Sequence, residues 1–503
     1  MPVRKQTMRR ALSLSACLLA SACAVGPNFH KPTPPAAQTY LPTPPVVPDK
    51  SQEFITGLDI QGDWWQLFHA PQLDQLVKQA LAANPSLEAA QAALRQARED
   101  VYAQEGSYLP SLDGSFQPSR TKTATRSVSV ASSNGSPYYT LYTAQLAVSY
   151  TPDVFGANRR QVENLAATAQ LQRFQLEATY LTLTANVVTA AINEAALRDQ
   201  ITATQNIIHA ESDLLGVLNK QFELGQVSQV DVLAQRAALA QAAATLPPLQ
   251  KQLDQQRDAL AALLGETPEK TIKQHFVLGD IALPQRLPVS IPAALIDQRP
   301  DIRQAEETLH AASANVGVAV AARLPVLNLT ASGGSQANFF RQLFSPGNGF
   351  WTIAATLSEP IFDGGTLLHK ERGARAALDQ AKAQYRATAI AAFQNVADCL
   401  AALQADAAAV NAAATAAQSA EASLHLITLQ VENGQTSYVG ILNAQQTALT
   451  AEVNLIQAKA SRLSDTAALF QALGGGWWHR NDVQVKDIDA SDPLALLGWK
   501  NPN

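Results

Sequence analysis

The chain has 503 residues, enough for two or three ordinary domains, and 47% of them are apolar while only 16% are charged. Its formal net charge is −5, which argues against nucleic acid as a partner. The sequence contains no GxxxxGK[ST] phosphate loop, no HxxxH or HExxH histidine pair and no GxSxG elbow. We therefore predict no catalytic site, no metal site and no cofactor.

The N-terminus reads as a targeting segment. A basic stretch precedes a short apolar run at residues 11–20, and its charges are Arg4, Lys5, Arg9 and Arg10. Ala20-Ser21-Ala22-Cys23 then resembles a bacterial lipobox, which predicts a signal peptide over residues 1–22 and lipidation of Cys23. The alternative is an ordinary signal peptide cleaved after Ala22. Ala24 instead of Asp favours sorting of a lipoprotein to the outer membrane, and loss of residues 1–22 lowers the net charge by four to −9.

The segment after the predicted anchor differs in composition from the rest of the chain. Residues 23–62 are rich in proline and predict an extended spacer behind the lipid. No later stretch supplies about 18 consecutive apolar residues, so we predict no transmembrane helix. Cys399 stands alone in a helical pattern and is predicted to be a small packing residue without a disulfide.

The chain repeats itself. Residues 84–112 resemble residues 299–327 at an offset of 215, and Phe222–Leu233 resembles Val431–Leu442 at an offset of 209. Tyr150–Gly156 likewise resembles Ser358–Gly365. Each copy is about 200 residues long, far longer than a solenoid repeat. We predict one repeat over residues 63–287, a second over residues 288–478, and a tail over residues 479–503.

Each predicted repeat contains two segments of alternating apolar and polar residues. They lie at residues 111–118 and 138–150 in the first copy, and at residues 327–332 and 351–358 in the second. Their length and pattern are typical of transmembrane β-strands, and the alternative is a soluble hairpin packed on a helical domain. Four strands cannot close on themselves in lipid, so several chains would have to share the sheet, and three chains would supply twelve strands.

The remaining sequence predicts long helices. Asp63–Leu73 is an aromatic cluster that leads into a predicted helix at about 71–107. The runs Gly156–Gly225 and Gly365–Gly434 contain no proline, and each would extend roughly 105 Å as one helix. Returning helices are predicted at residues 227–264, with an interruption at Pro247-Pro248, and at residues 436–473. The predicted fold class is mainly α with a small β part, built from a duplicated strand–strand–long-helix unit.

Several motifs in this order identify a family. The sequence resembles the TolC-type outer-membrane efflux lipoproteins, the outer membrane factors of tripartite efflux systems. The matching segments run from the lipobox to about residue 478 and are Cys23–Phe29 with Pro32, Trp64-Trp65 with Phe68, Pro71 and Leu73, Arg299–Ile302 with Ala305-Glu306, Pro360–Phe362 with Gly364-Gly365, and Leu473–Gly475 with Trp477. The resemblance implies a homotrimer in which a trimeric α-helical barrel in the periplasm is capped by a shared twelve-stranded transmembrane β-barrel.

The resemblance also implies partners and a site. The partners would be a periplasmic adaptor (membrane fusion protein), an inner-membrane transporter of the RND or a similar class, and outer-membrane lipid. The periplasmic tips, where each long helix reverses, would contact the adaptor and form the gate. The residues there are Gly225, Gln226, Ser228, Asp231, Gly434, Gln435, Thr436, Ser437 and Tyr438.

The tip residues also have a plainer interpretation. Gly225 and Gly434 fit simple left-handed helix caps. Relatives often have an acidic residue where this chain has Thr436, which leaves Asp231 as the acidic candidate near the gate; it could equally be a solvated helix charge. We predict an exit duct that exports small molecules such as drugs or toxic compounds. The alternatives are the exit duct of a type I protein secretion system and a non-conducting periplasmic coiled-coil scaffold lipoprotein.

Overall fold

The computed structural model describes residues 24–33, 39–42, 51–122, 138–270 and 273–480. Helices account for most of the described residues, which confirms a mainly α fold with a small β part. In chain order the elements are β1 (Glu53–Thr56), α1 (Pro71–Ala83), α2 (Pro85–Glu105), β2 (Ser111–Lys122), β3 (Tyr138–Tyr150), α3 (Ala157–Glu223), α4 (Gln229–Leu263), β4 (Arg286–Val289), α5 (Pro292–Gln298), α6 (Pro300–Ala321), β5 (Val326–Ala337), β6 (Gly349–Ser358), α7 (Thr366–Glu432) and α8 (Tyr438–Ala472).

The order of elements repeats once. The series α2-β2-β3-α3-α4 is followed by α6-β5-β6-α7-α8. The long helices α3 and α7 both have 67 residues, and the returning helices α4 and α8 both have 35. At 1.5 Å per residue the long helices extend about 100 Å. The predicted limits of the two repeats stay a prediction, and β4 spans their proposed junction after residue 287.

The single helix predicted over residues 71–107 is wrong, because the chain breaks at Asn84. Asn84 has ψ 121°, as expected for a residue that precedes a proline. Its side-chain oxygen accepts hydrogen bonds from the backbone N–H groups of Ser86 (2.8 Å) and Leu87 (3.3 Å), and Pro85 occupies the first position of α2. The Asn84 amide also donates to the Leu263 carbonyl at 2.8 Å, which joins the break to the end of α4.

The interruption predicted at Pro247-Pro248 is also wrong, since α4 runs through both prolines. A proline inside a helix costs about 3 kcal/mol. Most helical stability in proteins comes from tertiary packing, and α4 packs along α3. The local cost is therefore outweighed by the contacts of the whole 35-residue helix.

A large core holds the helices together at mid-length. Trp64 is fully buried and stacks on Phe470 of α8, with ring centroids 5.3 Å apart, and it meets Phe68 edge to face. The start of α6 is fixed to the same region of the core, and Pro300 occupies the first position of this helix. Arg299 pairs with Asp301 and donates to the Ala472 carbonyl at 2.9 Å, which ties α6 to the end of α8.

The described residues form two separate sheets, one of two strands and one of four. β1 and β4 form a short parallel pair. The other sheet has the order β2-β3-β5-β6 with every neighbour antiparallel, so the hairpins of the two repeats pair with each other through β3 and β5. Helices join one end of this sheet, at Ser111, Tyr150, Val326 and Ser358, and we call it the helix-connected end. The opposite end, at Lys122, Tyr138, Ala337 and Gly349, is the free end.

Candidate functional site: the four-stranded sheet and the helical tips

The register of the four-stranded sheet places apolar side chains on one face. Leu112 lies opposite Val148, Leu146 opposite Gly333, and Gly333 opposite Trp351. In the single chain these side chains are largely solvent-exposed, and Trp351 retains 76% of its accessible surface. The apolar side chains on this face include Leu112, Phe116, Leu146, Val148, Tyr150, Leu327, Leu329, Ala331, Trp351, Ile353, Ala355 and Leu357. The alternation that the sequence predicts is therefore present in all four strands.

The other face is polar. The Ser111 and Ser149 hydroxyl oxygens lie 2.7 Å apart across the β2–β3 pair, and the Thr151 hydroxyl donates to the Asn328 side chain at 2.7 Å. The rest of this face includes Ser115, Gln117, Thr143, Gln145, Thr330, Ser332, Thr352 and Thr356. A sheet with one apolar and one polar face suits a wall between lipid and water.

Both outer edges of the sheet are open within one chain. Among the described residues, β2 pairs only with β3, and β6 pairs only with β5. An unpaired strand edge offers a row of backbone donors and acceptors to another strand, and in hydrocarbon it would cost several kcal/mol per unsatisfied group. The sheet of one chain is thus incomplete as a wall in lipid.

The first helical tip is the turn between α3 and α4. Gly225 has φ +71°, its N–H donates to the Phe222 carbonyl at 2.9 Å, and the Gln226 N–H donates to the Gln221 carbonyl at 2.8 Å. These two bonds form a Schellman cap, which favours glycine because the left-handed conformation strains other residues.

A capping box follows that turn and begins α4. The Asp231 N–H donates to the Ser228 hydroxyl oxygen at 3.3 Å, and the Ser228 N–H donates to the Asp231 carboxylate at 3.0 Å. Hydrogen bonds from Ser228 lower the pKa of the Asp231 carboxyl. The structure thus places Asp231 in a helix cap, and the sequence signal for this role was the Ser-x-x-Asp spacing before the helix.

The second tip repeats the turn without the box. Gly434 has φ +70°, and the Gln435 N–H donates to the Gln430 carbonyl at 2.8 Å. Ser437 precedes α8, but its side chain makes no capping hydrogen bond, and Gly440 stands where the first repeat has Asp231, so no carboxylate is present to accept from the Ser437 N–H. Thr436 is exposed and Tyr438 half-buried beside this turn. The two groups of predicted tip residues therefore occupy equivalent turns in the two repeats.

Exposed apolar side chains surround the first tip. Leu224 and Val230 each retain 72% of their accessible surface in the single chain, and Phe222 retains 44%. Sequence reasoning did not select these residues, because single apolar residues beside a turn give no pattern. Clustered at a helical tip, they are typical of a surface that a partner covers.

Two aspartates begin the long helices and were also missed from the sequence. The Asp153 carboxylate accepts from the Asn158 N–H at 3.0 Å and the Arg159 N–H at 2.9 Å. The Asp363 carboxylate accepts from the Gly365 N–H at 2.8 Å and the Leu367 N–H at 2.7 Å. Both carboxylates lie at helix N-termini, where negative charge is stabilised. They orient α3 and α7 as these helices leave the sheet.

The segment that follows the predicted lipid anchor is fixed to the helices. Cys23 itself lies outside the described residues, so its lipidation stays a prediction. Arg160 is buried and donates to the Val25 carbonyl at 3.1 Å and to the Asn28 side chain at 2.7 Å. Phe29 stacks on His310 with ring centroids 4.3 Å apart.

His310, on which Phe29 stacks, carries a positive charge at this contact. Burial opposes its protonated form, but hydrogen bonds with Glu163 and Glu307 outweigh burial and raise the pKa of His310 to about 9. The Phe29 ring thus rests on a His310 side chain that carries a positive charge at neutral pH. The N-terminal segment is therefore held where α3 meets the sheet.

Within the described part of the chain, no group of His, Cys, Asp and Glu side chains has the arrangement of a metal site. No helix among the described residues is both long and apolar enough to span a membrane. Cys399 is half-buried, and burial raises the pKa of its thiol to about 11, which fits a packing role.

Comparison with known proteins identifies the family. The model of the family described as outer membrane efflux protein matches residues 76–266 and 291–475. The chain is 28% identical over 491 residues to the probable efflux pump outer membrane protein TtgC of Pseudomonas putida, covering 96% of this chain and 98% of the relative. It is 29% identical over 482 residues to the outer membrane protein OprJ of Pseudomonas aeruginosa, covering 93% and 96%.

Solved structures agree with this assignment. The outer-membrane channel OprN superposes with a TM-score of 0.82 at 26% identity, covering 90% of this chain and 100% of that one. The CmeC outer membrane channel of Campylobacter jejuni gives a TM-score of 0.84 at 24% identity, covering 92% and 96%, and supports the fold. The protein is thus an outer-membrane channel component, and the chain belongs to the outer membrane efflux protein family.

Proposed function

We propose that three copies of this chain form one channel through the outer membrane and serve as the exit duct of a tripartite efflux pump. The observation that carries this proposal is the four-stranded sheet, with its continuous apolar face and its two open edges. Pairing β2 of one copy with β6 of the next would satisfy the edges, and three copies would contribute twelve strands. The apolar face would meet lipid, and the polar face would line water.

The helices supply the rest of the duct. α3 and α7 leave the same end of the sheet and extend about 100 Å away from it. Alanine-rich contacts such as Ala417, Ala420 and Ala451 allow helices to approach closely. The three copies would contribute six long helices to a periplasmic tube.

The tips are the proposed site of assembly with the other pump components. The periplasmic adaptor would contact the two turns, whose predicted residues are Gly225, Gln226, Ser228, Asp231, Gly434, Gln435, Thr436, Ser437 and Tyr438. Exposed Leu224 and Val230 support an apolar contribution to this contact. The inner-membrane transporter would supply the energy, so substrate choice among drugs and other toxic small molecules would lie largely outside this chain.

Cysteine pairs across the strand edges test the trimer. One cysteine replaces Ser115 or Gln117 on β2, and the other replaces Thr352 or Thr356 on β6, all on the polar face. Oxidation of outer membranes should link neighbouring copies covalently in at least one combination and yield trimers on denaturing gels. Matched pairs on the internal strands β3 and β5 should give no intermolecular links. Failure of every edge combination would contradict the shared sheet.

A further inference from the structure

The charges of the four-stranded sheet are sorted along its length. Over its strands and the β5–β6 connection, the charged side chains are Asp113, Arg120, Lys122 and Arg341. Asp113 lies near the helix-connected end, whereas the three cations lie at the free end. The sequence between β2 and β3 adds Arg126 and no acidic residue. Among the described residues, the free end therefore carries cations and no carboxylate, in a chain whose net charge is −5.

Two of these cations share a face with the apolar side chains. Arg120 and Lys122 follow Phe116 at two-residue steps along β2, so all three lie on the apolar face. Arg120 is the tenth residue of β2, and about 9–11 residues of a tilted strand cross the hydrocarbon of a membrane. The cations thus begin where the apolar part of the strand would reach the opposite membrane surface.

Aromatic side chains lie at the level of these cations and below it. The Lys122 ammonium lies 5.5 Å from the centre of the Tyr138 ring. Phe340, in the β5–β6 connection, packs edge to face on Phe116 at 6.0 Å and on Tyr142 at 5.8 Å between ring centroids. The connection therefore folds over the apolar face, and the exposed Arg341 follows Phe340 in it. Tyr138, at the level of Lys122, fits the aromatic belts that lie at the boundary between lipid tails and headgroups.

A shallow cleft, largely open to its surroundings, lies in the apolar face below the cations. Gly114 and Gly333 occupy outward positions on either side of Leu146, and Phe344 borders the same depression. The cleft has a volume of about 620 Å³. A Cβ atom added at Gly333 would meet nothing closer than the Phe350 carbonyl oxygen at 3.9 Å, so packing does not require a glycine there.

We propose that the free end of the sheet binds a phosphorylated lipid of the outer leaflet. Arg120, Lys122 and Arg341 would contact the phosphate, and the cleft at Gly114 and Gly333 would accept an acyl chain. Charge complementarity favours this occupant, because the free end offers cations and no carboxylate, and the continuous apolar face favours a ligand with lipid tails. The proposal rests on the proposed function, which sets the free end at the outer leaflet.

Native mass spectrometry of the full-length protein in detergent tests the site. The probes are diphosphorylated lipid A, the same lipid without phosphates, and inorganic phosphate. The wild type should retain the phosphorylated lipid, retain far less of the dephosphorylated form, and retain no inorganic phosphate. The R120Q/K122Q/R341Q variant should lose about a hundredfold in retention, since each of the three cations near a membrane surface contributes a factor of about five.

Matched variants separate charge from shape. The variant K220Q/R236Q/K251Q removes three exposed cations from α3 and α4 and should bind lipid like the wild type. Gly333→Leu fills the cleft and should reduce retention while the three cations remain. Equal retention by wild type and R120Q/K122Q/R341Q, equal retention of both lipid forms, or binding of inorganic phosphate alone would overturn the proposal.

The two proposals fail in different ways. If lipid retention does not depend on the three cations but the protein still forms trimers and conducts in a planar bilayer, the lipid site is wrong and the proposed function stands. If the wild type neither trimerises nor conducts, the proposed function is wrong, and the lipid site falls with it.

Discussion

The two helical tips have the same backbone and different interiors. At an offset of 209 residues, Gly225 corresponds to Gly434, and both glycines hold the same left-handed turn at φ +71° and +70°. The interior of the first hairpin is polar, since the Gln235 amide donates to the Glu211 backbone carbonyl at 3.0 Å. The corresponding residues of the second hairpin are Ala444 and Ala420.

Two further differences should make the first tip more stable than the second. Leu218 is 1% exposed in the first hairpin, whereas its counterpart Ile427 is half-buried. Asp231 completes a capping box, whereas Gly440 leaves Ser437 without one. After duplication the turn was kept and the contacts around it diverged, so we expect the second tip to open locally more readily than the first. Such opening is measured by hydrogen exchange of the tip peptides.

Removal of the buried leucine should have the largest effect. Leu218→Ala should cost about 2–5 kcal/mol of local stability, because it deletes a fully buried side chain. Ile427→Ala is the matched change in the second hairpin and should cost less. Hydrogen exchange of peptides that cover residues 211–235 and 420–444 compares the two. A larger loss for Ile427→Ala would reverse the ranking of the two interiors.

The turn glycines should respond alike. Gly225→Ala and Gly434→Ala should each cost about 1–2 kcal/mol, since both residues hold left-handed backbone that an added Cβ strains. No atom lies within 4 Å of the position of either added Cβ, so conformation alone should set the cost. The two variants, each measured by exchange at its own tip, should agree. A clear difference between them would mean that the turns are not equivalent.

The buried carboxyl of the first hairpin should make its stability depend on pH. Burial raises the pKa of Glu211, and one of its carboxylate oxygens has no hydrogen-bond partner among the described residues. The folded hairpin therefore binds this proton more tightly than the unfolded chain does. Its stability should fall as pH rises from the ordinary Glu value, about 4.3, through the raised value.

Glu211→Gln is the test of that dependence. In this variant the stability of the first tip should no longer decrease as the pH rises through this range. Hydrogen exchange of the tip peptides, corrected for the pH dependence of the intrinsic exchange rate, measures that stability. The second hairpin has Ala420 at this position and serves as the internal control. Retention of the full pH dependence in Glu211→Gln would assign it to another group.

Substitution of the capping residues, so that each tip receives the residue of the other, should have the smallest effect. Asp231→Gly should lower protection of the first turn of α4 several-fold, because it removes the hydrogen bonds that the carboxylate accepts from Ser228. Gly440→Asp should raise protection at the start of α8, although its Cβ would lie 3.3 Å from Ile427 and requires a small adjustment there. Unchanged protection in both variants would show that the box does not distinguish the tips.

The sequence was sufficient for elements with long, uninterrupted patterns. Alternation at residues 111–118, 138–150, 327–332 and 351–358 predicted β2, β3, β5 and β6, and proline-free runs between glycines predicted α3 and α7. The break at Asn84 was missed because an apolar pattern continues across Asn84-Pro85, although a proline disfavours helical backbone at the residue before it and asparagine is a common N-cap. Pro247-Pro248 misled in the opposite direction, since tertiary packing outweighed a local preference.

The site was less predictable than the fold. The glycines with a required turn conformation, Gly225 and Gly434, were found from the sequence. Other features of the site depend on the folded structure and not on local sequence patterns. They are the exposure of Leu224 and Val230, the helix caps Asp153 and Asp363, and the stacking of Phe29 on His310. Local sequence patterns do not predict these features.

Conductance in a planar lipid bilayer tests the proposed function most directly. The full-length wild-type protein, purified as a trimer and added to one side, should insert and give discrete single-channel steps. Trimers that are covalently linked through the cysteine pairs on β2 and β6 should give the same single-channel steps. A demonstrably trimeric preparation that inserts into the membrane and never conducts would contradict the channel and favour a non-conducting scaffold.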